Sequence, residues 1–113
     1  MSYQIFGTKK CKETAKAVRW FKERDLRCQF VDLADKGISA GELSSIARAV
    51  GLETLLNREG KRYKDRGFAH LEVDLEEELL ADPLLMRTPI VRDGTRAAVG
   101  FSPELWSSWP GEK

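Results

Sequence analysis

The apolar and polar positions of this chain divide it into short alternating segments. Residues 3–6 are apolar and β-prone, Gly7 stops them, and the run predicts a first strand. From Lys12 to about Arg24 the period changes to helical. Ala15, Val18, Phe21 and Ala17 can share one face, Trp20 borders it, and Lys16, Arg19, Lys22 and Glu23 fall mostly away from it. Residues 28–32 return to a strand pattern with Cys28 and Phe30 on the same side. This β-α-β order predicts two parallel strands joined by a right-handed crossover.

Ser39 followed three residues later by Glu42 is a capping-box signature. The helix it opens runs to about Val50 on Leu43, Ile46, Ala47 and Val50, and Gly51 ends it. Residues 52–56 read as a further helical turn. Residues 57–67 are polar and basic, either a loop or the start of an exposed helix, and 74–81 read as a helix followed by Asp82-Pro83. Asp93-Gly94 between the short apolar runs 90–92 and 96–99 predicts a β-hairpin. Ser102-Pro103-Glu104 then predicts a last helix, with Ser102 as cap, proline in the first turn, and Leu105, Trp106 and Trp109 on its apolar side.

The expected architecture is therefore α/β: β-α-β, a helical insertion over about 39–82, a β-hairpin and a C-terminal helix, in one domain spanning 1–113. A chain of 113 residues is long enough to bury a core without staples. The formal net charge of +1 provides no field for nucleic acid or an anionic membrane, so direct binding to either is not expected. No run has the length of a membrane span and the first residues lack a signal-peptide pattern, so a cytoplasmic location is expected. Two cysteines and one histidine, His70, make neither a disulfide framework nor an imidazole metal cluster; no metal and no bound cofactor are expected.

Chemistry is concentrated at Cys11, between the first strand and the first helix. There a thiolate meets the free N–H groups and the positive end of the helix dipole, with Lys9 and Lys10 adjacent in sequence. Both effects lower a thiol's pKa, and the thiolate is the nucleophile of disulfide exchange. The alternative is an incidental small residue at a helix start. Thr14 occupies the place of the second cysteine in a Cys-x-x-Cys motif; its hydroxyl can hydrogen-bond the sulfur but cannot resolve a mixed disulfide. A catalytic cycle then needs an outside thiol such as glutathione, because Cys28 reads as a packing residue in or near the core. Thr88-Pro89 opens a strand where a ladder N–H is dispensable. Arg58, Lys61, Arg62, Lys64 and Arg66 form a basic stretch, either a solvated surface or an anion site. The residues Glu76, Glu77 and Glu78 read as an exposed helix face, the tryptophans as packing, and His70 as a surface or helix-edge residue.

Gly7-x-x-x-Cys11, Lys16-Ala17-x-x-Trp20, Leu55-Leu56-Asn57, Glu77-Glu78-Leu79-Leu80, Pro83-Leu84-Leu85, Thr88-Pro89-Ile90-Val91, Asp93-Gly94 and Val99-Gly100-Phe101, taken in order, resemble the arsenate reductase (ArsC)/Spx family of the thioredoxin superfamily. Within it the chain resembles most the small glutathione-dependent, YffB-like branch. The resemblance implies a thioredoxin-like fold, a cis Pro89 facing Cys11, and Cys11 as the redox or nucleophilic position. Glutaredoxin-coupled arsenate reductases hold their oxyanion with arginines. One precedes the cis-proline, where this chain has Thr88, with Arg87 one place earlier. Another follows the glycine near the last helix, where this chain has Phe101. A third lies in the middle loop, where Arg58 is the nearest match. Missing guanidinium donors disfavour arsenate reduction. The expectation is a thiol oxidoreductase with Cys11 as nucleophile, glutathione as external thiol, and Arg58, Thr88 and Pro89 lining the substrate or glutathione site. Glutaredoxin is a further partner the resemblance allows. A transcription regulator of the Spx kind, binding the RNA polymerase α-subunit, is the alternative, although Thr14 rules out a Cys-x-x-Cys switch.

Overall fold

The chain returns to the same edge of a sheet after its first helix, which makes its first two strands parallel. In the computed structural model, which describes residues 3–65, 67, 74–94 and 96–109, β1 (Tyr3–Gly7) pairs in parallel with β2 (Cys28–Asp32) across α1 (Lys12–Glu23). The hairpin of β3 (Ile90–Asp93) and β4 (Arg96–Val99) adds to the other side of β1, both contacts antiparallel, in the order β2-β1-β3-β4. Gly94 sits in the turn at φ 63°, a left-handed conformation that glycine adopts at no steric cost, and Arg96 closes the turn with an ion pair to the buried Asp93 at 3.0 Å.

Alternation along the strands divides the interior in two. Tyr3, Ile5, Val91 and Ala98 face an aromatic-rich layer with Ala17, Trp20 and Phe21 of α1 and Trp106 and Trp109 of the last helix. Phe6 and Ile90 face the opposite way, into an aliphatic layer under the insertion. That insertion consists of α2 (Ala40–Val50), α3 (Leu52–Leu55), α4 (Lys61–Asp65), α5 (Leu75–Ala81) and a 3-10 turn at Pro83–Leu85. It contributes Leu43, Ile46, Leu55, Leu79 and Leu85 to the core. The expected capping box is present: Ser39 Oγ accepts from the Glu42 N–H and Glu42 Oε1 accepts from the Ser39 N–H, each at 3.1 Å. Asp74 caps α5 through the Glu77 N–H at 3.3 Å. The polar stretch after Asn57 forms the short α4, and Arg66 and His70 lie outside the described residues.

Three elements depart from the apolar pattern of the sequence. α1 buries Thr14, Ala17, Trp20 and Phe21, leaves Val18 half-buried and leaves Ala15 exposed. The helix is rotated from its purely apolar stripe because Thr14 fits against Gly7. β2 buries Val31 and leaves Phe30 37% exposed, since β2 is an edge strand whose outer half is not covered. In α6 (Pro103–Ser108) Leu105 is 53% exposed; a helix this short presents one narrow face, and Trp106 and Trp109 occupy it. Ser102 starts α6 but its hydroxyl donates to the Gly100 carbonyl at 3.3 Å and makes no cap.

Candidate functional site

The approach of α1 to β1 depends on a missing side chain. A Cβ on Gly7 would lie 2.3 Å from Thr14 Oγ1 and 2.6 Å from its Cγ2, closer than any real contact. Glycine at the end of β1 lets the first turn of α1 settle onto the strand and buries Thr14 there. Between them, a turn closed by the Cys11 N–H to the Thr8 carbonyl at 3.1 Å places Cys11 at the N-cap of α1. Its sulfur therefore stands where a capping oxygen usually accepts from the first free N–H groups of a helix.

Across from it lies the segment leading into β3. The Thr88–Pro89 peptide bond is cis. The Thr88 hydroxyl donates to Cys11 Sγ at 3.1 Å, and the thiol faces the Thr88 carbonyl at 3.9 Å. Pro89 is buried, and its carbonyl accepts from the Gly100 N–H at 2.8 Å, which ties this segment to the end of β4. Cys11 itself is half-buried and unbonded to Cys28, which is also a free thiol.

These surroundings set the charge of the sulfur. Burial pushes the Cys11 thiol up, but the polar hydrogens of the Thr14 and Thr88 hydroxyls and of the Thr14 and Glu13 backbone near the sulfur outweigh it, and the pKa falls below the ordinary thiol value. The Thr14 hydroxyl is buried and satisfies no full hydrogen-bond geometry in the resting arrangement, whereas the Thr88 bond is formed. Thr14 lies one helical turn along α1 from Cys11, and a hydrogen bond from its hydroxyl to the sulfur would favour the thiolate. Lys9 and Lys10 are exposed in the turn before α1. The shift is carried by oriented dipoles and hydrogen bonds; the expected support from these two charges is not among its causes.

The remaining sequence-derived site residues separate. Thr88 bonds the Cys11 sulfur, and Pro89 follows it across the cis bond. Arg58 instead pairs with Glu53 and lines a cleft of about 400 Å³ with Leu56, Asn57, Glu59 and Arg87. Phe101 stands edge-on to Trp106, with ring centroids 5.4 Å apart, and contributes no donor for an oxyanion. A second cleft, of about 390 Å³, runs from Thr8, Lys9 and Thr14 past Ala15 and Val18 to Lys22 and Phe30. Sequence reasoning did not single out Gly7 as the residue that admits Thr14, nor Arg87 and Glu59 as neighbours. The Gly7 signal was available in the pairing of a glycine with a threonine one turn into the next helix. The cleft had none, because it forms where Leu56 meets Met86 in a long-range bridge.

Comparison with known proteins joins the site to its relatives. Residues 6–108 match the ArsC family. This chain belongs to that family. YusI of Bacillus subtilis is 29% identical over 108 residues, which cover 89% of this chain and 92% of YusI. The global transcriptional regulator Spx 2 of Bacillus anthracis is 26% identical over 105 residues, covering 88% of this chain and 80% of the regulator. Among solved structures, a YFFB protein superposes with a TM-score of 0.82 at 28% identity, covering 94% of this chain and 96% of that protein. The thioredoxin-like α/β fold of the ArsC family is therefore the fold of this chain, with the architecture of an ArsC-type thiol oxidoreductase.

No helix among the described residues is long and apolar enough to cross a membrane. Within the same residues no group of three or more His, Cys, Asp and Glu side chains is placed to hold a metal ion.

Proposed function

We propose that the protein is a glutathione-dependent thiol–disulfide oxidoreductase with Cys11 as its nucleophile. The observation that carries this reading is the Cys11 sulfur at the N-cap of α1, accepting a hydrogen bond from Thr88 at 3.1 Å and with its pKa lowered. The Cys11 thiolate attacks a mixed disulfide of glutathione and a substrate thiol at the glutathione sulfur. A new sulfur–sulfur bond forms between Cys11 and glutathione, the old one breaks, and the substrate leaves as a thiolate that takes a proton from water. A second glutathione thiolate attacks the glutathione sulfur of this intermediate. It releases oxidised glutathione and returns Cys11 to the thiolate. The net change is one mixed disulfide reduced to the substrate thiol, its glutathionyl group leaving with one free glutathione as oxidised glutathione. Thr14 and Thr88 hold the charge on Cys11 at the start and end of each cycle, and Pro89 shapes the wall against which the disulfide lies.

Thr88 and Phe101 also argue against arsenate as substrate, because neither supplies a guanidinium to a bound oxyanion. The test is reduction of a glutathionylated peptide by glutathione, followed through production of oxidised glutathione. Turnover in the wild type that disappears in Cys11→Ser is the expected result. Equal rates in the two proteins would remove the reading.

Similarity to Spx 2 along 88% of the chain favours one second reading, a transcription-linked adaptor that binds the RNA polymerase α-subunit. Thr14 denies it a switch of the Cys-x-x-Cys kind. Capture of purified α-subunit by the chain, unaffected by Cys11→Ser, would support this reading over the first.

A further inference from the structure

The cleft beside Arg87 brings charges of both signs together. Its walls carry two arginines and two glutamates. Arg58 and Glu53 neutralise each other in an ion pair. Arg87 and Glu59 are exposed, and among the described residues neither side chain has a hydrogen bond or an ion pair. One uncommitted cation and one uncommitted anion thus face a single cleft of about 400 Å³, floored by the buried Leu56 and flanked by the Asn57 side chain.

The cleft is also fixed to the reactive segment. The Arg87 N–H donates to the Leu55 carbonyl at 2.7 Å and the Asn57 N–H donates to the Leu85 carbonyl at 2.9 Å, on either side of the Leu56–Met86 bridge. Arg87 is covalently joined to Thr88, whose hydroxyl lies 3.1 Å from Cys11 Sγ.

An inorganic oxyanion suits such walls poorly, because Glu53 and Glu59 would oppose it. A ligand group bearing one positive and one negative charge matches both uncommitted side chains at once. We propose that this cleft holds the zwitterionic γ-glutamyl head of a glutathione-type thiol, with Arg87 on its α-carboxylate and Glu59 on its α-ammonium. The assignment rests on the reading of Cys11 as the partner of such a thiol and adds which end of the molecule is recognised, and by which residues. The glycine end of the tripeptide has a carboxylate and no ammonium, so placing it in the cleft would leave Glu59 unanswered.

The test separates binding from redox chemistry by using S-methylglutathione, which cannot form a disulfide. Its affinity is measured by titration against the wild type, Arg87→Gln and Glu59→Gln, with the near-UV circular dichroism of the buried tryptophans checking that each variant is folded. Arg87→Gln should weaken binding about tenfold, the scale of one charge-assisted hydrogen bond, and Glu59→Gln should weaken it several-fold. Acetylating the α-amino group of the ligand should cost the wild type affinity and leave Glu59→Gln unaffected. Unchanged affinity in both variants, or no saturable binding by the wild type, overturns the head-group assignment. Turnover of the glutathionylated peptide, measured in parallel, tells the two ideas apart. Turnover with an unchanged KM for glutathione in both variants removes this assignment and leaves the role of Cys11 standing, whereas turnover that survives Cys11→Ser removes the role of Cys11.

Discussion

The two cysteines of this protein carry the same side chain into opposite surroundings. Cys11 lies at a helix N-cap among donors aimed at its sulfur, and its pKa is lowered despite burial. Cys28 begins the edge strand β2, half-buried against the aromatic layer, and burial pushes its thiol up, with the charge of Lys22 offsetting only part of the effect. Both are free, and neither is sealed from solvent. The contrast shows that oriented donors, more than exposure, set the direction in which each thiol's pKa moves.

Alkylation is the most direct way to break this contrast. At about pH 7 the two thiols should react with iodoacetamide at rates that differ at least ~10-fold in favour of Cys11, because the rate follows the thiolate fraction. Peptide mapping during a time course identifies the modified residue. Comparable labelling of Cys28 and Cys11 would show that the N-cap donors do not control reactivity.

Gly7 tests the same contrast through packing. Gly7→Ala brings a Cβ to 2.3 Å from Thr14 Oγ1 in a buried contact, so either α1 or Thr14 has to move. Overpacking of this kind costs about 1–3 kcal/mol, which a urea titration reads directly. The Cys11 pKa should rise in the same variant, because the displaced Thr14 no longer faces the sulfur. Thr14→Ala in the Gly7→Ala background should recover part of the stability and none of the pKa.

Thr88→Val removes the one formed side-chain hydrogen bond to Cys11 while preserving shape. A hydrogen bond to a charged group contributes about 1.5 kcal/mol at the low end, appropriate to a half-exposed sulfur, so the Cys11 pKa should rise by about one unit. The pH dependence of alkylation measures it. A pKa unmoved in Thr88→Val and raised in Thr14→Val would assign the stabilisation to the buried hydroxyl alone.

These tests turn on features that were unevenly legible in the sequence. The order of elements along the chain, the capping box at Ser39, the Asp93-Gly94 turn and the junction at Cys11 follow from local chemistry, and local chemistry is what a sequence displays. The rotation of α1 is different. Counting apolar residues favours Ala15 on the buried face, but Thr14 is buried instead because Gly7, on another element, leaves room for it. Phe30 shares a side with Cys28 in the strand pattern, but its exposure follows from β2 being an edge strand. Lys9 and Lys10 read as the support for the thiolate because their sequence neighbourhood was visible, whereas Thr88, 77 positions away from Cys11, supplies the formed bond. Arg58 matched by place in the chain, yet its guanidinium is committed to Glu53. Each of these depends on a contact between elements, which no period within one element contains.

The smallest expected effect is on stability, and there the two cysteines should pull in opposite directions. Cys11 has a lowered pKa in the folded state, so folding is favoured where the native sulfur is ionised and the unfolded one is protonated. Its contribution grows as pH rises from the folded pKa to the ordinary thiol value of about 8.5, is complete above that value, and is lost as pH falls back through the folded pKa. Cys28 has a raised pKa, so its effect appears only above the ordinary value, where the unfolded thiol ionises first and stability declines. Tyr3, raised chiefly by burial, adds to that decline at still higher pH. Urea midpoints measured across about pH 6–9 should therefore lose their rise in Cys11→Ser and lose part of their alkaline fall in Cys28→Ser. Parallel profiles for the wild type and Cys11→Ser would mean that the sulfur at the N-cap is no more ionised in the folded chain than in the unfolded one, and the distinction between the two thiols would then be one of access alone.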